Sequence, residues 1–175
     1  MPTRPILVAP HPLLKTPAAV VDAVDAGVHT LLDDMLETMY DAPGIGLAAP
    51  QIGVSRRLVV LDVAGKDEPR SPLCLINPEV EERSTERSVG EEGCLSLPEI
   101  FADVERPSAV TVRYLDRDGQ SQTITANGLL ARCLQHEIDH LDGVLFVDHL
   151  SMLRRKMLLR KLAKLQRAKP QRGED

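Results

Sequence analysis

Residues 135–143 read Gln-His-Glu-Ile-Asp-His-Leu-Asp-Gly, and the spacing of His136 and His140 constrains the fold more than anything else in the chain. At about 3.6 residues per turn, positions four apart share one helix face, so both imidazoles can grip one cation. Glu137 is rotated by about 100° from His136, where it reaches a water at that cation without ligating it. The flanks suit a buried helix. Thr125-Ala126-Asn127 supplies a start, Leu129, Leu130, Cys133 and Leu134 make the preceding turns apolar, and Gly143 is a natural C-cap. Packing alone does not account for two histidines and a carboxylate on such a helix.

Hydrolytic metal centres usually take three protein ligands and keep one position open. Cys133 is the nearest further donor. However, Cys133, His136 and His140 span roughly 10 Å of helix axis, too far to close on one ion with bonds of about 2.0–2.3 Å. The third ligand is therefore expected from another segment. The metzincin pattern would place a histidine at 146, and the chain has Phe146 there. Two donors stay open. His149 lies beyond Gly143, in what reads as a strand-to-helix junction. Cys94 lies in Gly90-Glu91-Glu92-Gly93-Cys94-Leu95-Ser96, where the adjacent glycine lets the backbone approach another element and a thiolate would bind such metals well. The alternative for Cys94 is a plain buried side chain, the role expected of Cys74 and Cys133.

A third segment reads Gly44-Ile45-Gly46-Leu47-Ala48-Ala49-Pro50-Gln51. With no strand before it and no GxGxxG spacing, it is not a dinucleotide fingerprint. Its glycines let a backbone come close to another chain or ligand. Taken together, Gly44–Gln51, Glu91–Leu97 and Gln135–Gly143 resemble the three signature motifs of peptide deformylases, in that family's order. The likeness covers nearly the whole chain, from an Ile6-Leu7 strand to a C-terminal helix. It implies one divalent ion per chain held by Cys94, His136 and His140, with Fe(II) as the ion in the cell and Zn(II), Ni(II) or Co(II) as alternatives. It implies Glu137 as general base and acid, and Gln51 with the Leu95 N–H as oxyanion donors. It also implies a substrate groove at Gly44, Ile45, Gly46, Glu92, Gly93, Arg132 and Cys133. The implied substrate is the N-formyl-methionyl end of a nascent polypeptide, with formate released. Phe101 and Arg132 fall where the family varies, near the expected mouth of the pocket.

Two other readings compete. A zinc endopeptidase of another HExxH class would share the role of Glu137, but lacks its third histidine here. A non-catalytic module built on structural zinc would need four protein ligands, and only three are in view.

The rest of the chain frames the site. Its 175 residues fit a single domain spanning 1–175, and 2% aromatics with no Trp mean an aliphatic core. Three cysteines argue against a disulfide framework and for the cytoplasm. The N-terminal apolar run Ile6-Leu7-Val8-Ala9 is too short for a signal peptide or a membrane span. A monomer with no membrane or DNA partner is expected.

Apolar residues recur with helical spacing over Val24–Tyr40. Strands are expected over Arg57–Val63, Leu73–Pro78 and Val80–Arg87, and a hairpin joins Val110–Tyr114 to Ser121–Ala126. With a C-terminal helix over Ser151–Ala168, the class is α+β, antiparallel sheets around a central HExxH helix with a further helix at each end.

Residues 154–175 hold nine basic side chains against Glu174 and Asp175, a local excess of +7 on a chain of net −5. Leu150, Leu153, Met157, Leu158, Leu162 and Leu165 form an apolar stripe expected to dock this helix. Its basic end, from Lys161 to Arg172, is expected to meet ribosomal RNA phosphates.

Overall fold

In the computed structural model, which describes residues 2–169, the helix carrying the histidine pair is packed between a five-stranded antiparallel sheet and a separate two-stranded hairpin. The sheet runs β1-β2-β3-β6-β7, formed by Gly46–Ala48, Leu58–Leu61, Leu73–Arg83, Ala109–Leu115 and Ser121–Asn127. The hairpin pairs β4 (Arg87–Cys94) with β5 (Leu97–Pro107). Helix α1 spans Ala26–Asp41, α2 Gly128–Leu141 and α3 Met152–Ala168. Among the described residues, no helix is long and apolar enough to cross a membrane.

Strand β2 shows how the layers are built. Its four residues, Leu-Val-Val-Leu, are all buried, and alternate side chains face opposite sides of the sheet. Leu58 and Val60 join Leu31, Leu32 and Met35 of α1, while Val59 and Leu61 join Leu134, Ile138 and Leu141 of α2. Each such fully buried side chain contributes about 1.5–3 kcal/mol of transfer free energy. A third cluster joins Ile100, Ala102 and Val104 of β5 to Phe146 and to Leu162 of α3, closing the far side of α2.

The end of α2 is tied to the N-terminal segment. The Ala18 N–H and Arg57 Nη1 both donate to the Leu141 carbonyl, at 2.8 and 3.0 Å. Gly143 then turns the chain at φ 73°, where an added Cβ would meet the Lys15 backbone at 2.6 Å. Only glycine fits both demands.

Several expectations need correction. The expected strands over 73–78 and 80–87 merge into one strand, β3, carried through Asn77-Pro78 by register shifts and ending at Arg83, while Arg87 opens β4. Asn77 adopts φ 51° and bonds both Val21 backbone groups, so a bulge forms where a break was expected. The β4–β5 hairpin was not anticipated. Its inward face on β4 carries Ser88, Gly90 and Glu92, so no apolar alternation marks that strand, although β5 alternates through Ile100, Ala102 and Val104. Phe146–His149 is a 3-10 turn rather than a strand end. Leu7 pairs singly with the Gln51 carbonyl and lies in no strand.

The apolar stripe of α3 is also narrower than expected. Leu158, Leu159, Leu162 and Leu165 dock, while Leu153 and Met157 are 72% and 60% exposed. Leu153 and Leu158 are five residues apart, about 140° around a helix, so one face cannot bury both.

Candidate metal centre

Helical spacing brings His136 and His140 together with their rings 5.1 Å apart, edge to face. Cys94 enters from the end of β4, where the ladder with β5 shifts register between Gly93 and Cys94 and a two-residue turn, Leu95-Ser96, follows. The Cys94 Sγ lies 3.3 Å from His140 Nε2, and ligand atoms of Cys94, His136 and His140 all fall within 4.8 Å of one another. A thiolate with two imidazoles, largely withdrawn from water, is a donor set for Zn or Fe(II) rather than Mg or Ca.

Two buried carboxylates flank this cluster with opposite character. Glu92 receives a forked pair from Arg106, Nε to Oε2 at 2.7 Å and Nη2 to Oε1 at 2.9 Å, and a third bond from Arg132 Nη1 at 2.7 Å. His136 Nδ1 donates to its Oε1 at 2.9 Å. That bond fixes the tautomer and leaves the His136 Nε2 lone pair toward the cluster. Burial acts to raise the Glu92 pKa, but the bonds from His136 and Arg106 overcome it and hold the carboxyl well below its usual range.

Glu137 has no such partners. Its Oε2 makes no hydrogen bond among the described residues, and burial pushes its pKa up from 4.5 to about 7. The carboxylate is pressed against β1, where a Cβ on Gly46 would lie 2.5 Å from Oε1. A glycine at 46 is what gives Glu137 its place.

Gln51 is held on both sides. Its Oε1 accepts from the Ala48 N–H at 2.9 Å, and its Nε2 donates to Ser96 Oγ at 3.1 Å, 3.6 Å from Cys94 Sγ. Every residue expected to act in catalysis or on substrate lines one cavity of about 440 Å³, as do Cys94 and His136, while His140 lies behind its wall. Arg132 reaches that wall but directs its donors to Glu92, to the Val104 carbonyl at 2.9 Å and to the Ser88 carbonyl at 3.0 Å. The Cys133 thiol is pushed well up by burial and faces the Ile45 carbonyl at 3.8 Å. Cys74 is partly buried against the α1 cluster. His149 lies outside the cluster, 2.8 Å from Asp139.

Three contributors escaped the sequence reading. Phe146, at the position where a third histidine was sought, stacks on His136 at 6.1 Å. Ser96 anchors Gln51, and its place two residues after Cys94 was the available signal. Arg106 shares the buried phase of Ile100, Ala102 and Val104, and that alternation was the available signal.

The model for the family described as polypeptide deformylase matches residues 3–156. The chain belongs to that family. The peptide deformylase of Agrobacterium fabrum is 56% identical over 169 residues, covering 97% of this chain and 99% of that protein. That of Rhizobium meliloti is 57% identical over 164 residues, 94% of each. The crystal structure of a peptide deformylase from Legionella pneumophila superposes with a TM-score of 0.89 at 49% identity, over 97% of this chain and 100% of that one. The Ehrlichia chaffeensis deformylase in complex with actinonin gives 0.91 at 41% identity, over 96% and 100%. The chain is thus a metal-dependent hydrolase of the deformylase family, and its α+β layout is that of the solved deformylases.

The raised Glu137 pKa has a measurable consequence for stability. Between about pH 4.5 and 7 folded Glu137 keeps a proton that the unfolded chain releases, so stability falls as pH rises through that window. The loss is about 3 kcal/mol in metal-free protein. Denaturant titrations at pH 5 and pH 8 should show it in the parent and not in Glu137→Gln. Parallel pH dependence in the two would contradict the burial argument.

Proposed function

We propose that the chain removes the N-formyl group from the initiator methionine of nascent polypeptides and releases formate, with Cys94, His136 and His140 holding one divalent ion. The observation that carries this reading is the unpartnered Glu137 carboxyl facing the same cavity as the three-donor cluster. A divalent ion in that cluster supplies Lewis acidity, making a water nucleophilic near neutral pH. Glu137 takes the proton of the attacking water and returns it to the leaving amine, a role suited to a carboxyl tuned near 7. The Gln51 amide and the Leu95 N–H, on either side of Cys94, donate to the carbonyl oxygen as it gains charge. Loss of one such donor typically costs about 3 kcal/mol of transition-state stabilisation.

Among the described residues, strand β1 pairs with β2 alone, so the outer edge at Gly44, Ile45 and Gly46 is free there for an extended peptide to add as a strand. Gly93 lines the same cavity, and Leu129, Cys133 and the Arg132 stem offer apolar surface to a methionine side chain. Glu92 and Arg132 belong to the cavity wall and act mainly on His136. Fe(II) is the ion in the cell, and Zn(II), Ni(II) and Co(II) suit the same donors. The enzyme acts as a monomer, and in the cytoplasm, a location that the unpaired cysteines support.

The basic face of α3 meets ribosomal RNA phosphates. Lys161, Lys164, Arg167 and Lys169 are exposed, beside uncovered Met152, Leu153 and Met157, while Arg172 lies outside the described residues.

Two tests follow. Glu137→Gln should retain metal and fold but lose several orders in kcat on formyl-Met peptides, and internal peptide bonds should stay uncut by the parent. Near-normal turnover by the variant, or endopeptidase activity in the parent, would refute the mechanism. For the ribosome, Leu162 is buried, so truncating α3 would disturb the body. Joint replacement of Lys161, Lys164 and Arg167 by Ala should instead weaken co-sedimentation, leave short-peptide hydrolysis intact, and flatten the salt dependence. Equal, salt-insensitive binding by both proteins would leave α3 a solvated helix.

A further inference from the structure

His149 does not reach the ligand cluster, yet it ends a line of charged contacts that begins at a ligand. His136 Nδ1 bonds Glu92, and Arg106 grips Glu92 with Nε and Nη2. The third guanidinium nitrogen, Nη1, donates to Asp139 Oδ2 at 2.9 Å. The same oxygen lies 2.8 Å from His149 Nε2, which is 3.5 Å from Arg106 Nη1. Side-chain exposure rises outward along this line, from 4% at Glu92 and Arg106 to 25% at Asp139 and 37% at His149. The outer end opens into a second cavity of about 240 Å³ that shares no lining residue with the first.

The contacts close a ring. His136 and Asp139 are three apart on α2, so they lie on one side of the helix about one turn apart. Glu92 and Arg106 come from β4 and β5 of the hairpin that delivers Cys94. The ring therefore sets the position of the helix turn bearing two donors against the hairpin bearing the third. A guanidinium is a rigid planar fork, so holding Nη1 at Asp139 fixes the plane in which Nε and Nη2 meet Glu92. Without that outer anchor the fork can turn, Glu92 turns with it, and the His136 ring loses its orientation.

We infer that Asp139 and His149 are positioning residues of the metal centre, acting through Arg106 and Glu92 on His136 without touching metal or substrate. The assignment rests on Cys94, His136 and His140 being the ligands. Arg106 is a poor probe, because removing it strands a buried carboxylate and endangers folding. Asp139→Asn and His149→Ala lie at the exposed end, where the fold tolerates change.

The experiment loads the full-length parent and both variants with Co(II), then records the visible spectrum and the rate of metal release to a chelator. The parent should show a cobalt–thiolate charge-transfer band. Asp139→Asn should shift the ligand-field bands and speed release severalfold, below the about 10–100-fold typical when the direct outer-shell partner of a metal ligand is lost. His149→Ala should change both readouts in the same direction by less. The double variant should go little beyond Asp139→Asn, since both act along one path. Spectra and release rates at parent values, whatever happens to Tm, would overturn the inference and leave these contacts merely structural. A shift in Asp139→Asn with none in His149→Ala would strike His149 from it. A parent lacking the cobalt–thiolate band would overturn the ligand assignment itself.

Discussion

The Glu92 carboxylate, forked by Arg106 and braced by Arg132, is the contact on which the site depends. An ionised carboxyl isolated in a protein interior costs many kcal/mol, and the group would neutralise instead. Two guanidinium groups keep Glu92 charged, and the charge orients His136. The same bonds join α2 to the hairpin, so the donors on the helix and the donor on β4 are held in one frame. Removing either arginine would leave a buried charge short of a partner, a defect typically costing about 3–5 kcal/mol.

Glu92 and Glu137 divide their work by surroundings rather than by residue type. Both are buried on the same cavity. One meets two guanidinium groups and stays ionised, and the other meets the Gly46 backbone and the imidazole edge and is tuned near 7. Under the proposed function, pushing two carboxylates apart in this way separates an orienting group from a proton-transfer group. Gly46 matters for the same reason, since any side chain there would displace the Glu137 carboxylate.

The site was legible in the sequence where its residues act through local spacing or distinctive chemistry. His136 and His140 announce themselves by helical period, and Cys94 by its glycine neighbour and thiol. α1, the β6–β7 hairpin and α3 were readable because apolar periodicity marks them, and β2 because it is a short continuous apolar run. The β4–β5 hairpin was not, because the inward face of β4 is polar and its Glu92 is satisfied by Arg106 of β5 and Arg132 of α2. Arg106 illustrates the limit. It continues the buried phase of Ile100, Ala102 and Val104, but an arginine there has no sequence-visible partner, and only the tertiary fold shows it 3% exposed between Glu92 and Asp139. Phe146 was visible only as a missing histidine, while its stacking on His136 needed the chain reversal at Gly143.

The central claim is that one sulfur and two imidazole nitrogens, from Cys94, His136 and His140, hold the ion. X-ray absorption at the metal edge of the anaerobically purified protein measures this directly. The account predicts one sulfur at about 2.3 Å and two imidazole nitrogens at about 2.0–2.1 Å, with any remaining ligand a light oxygen atom. A shell with no sulfur would contradict it by excluding Cys94, and a shell with two sulfurs would contradict it by drawing in Cys133.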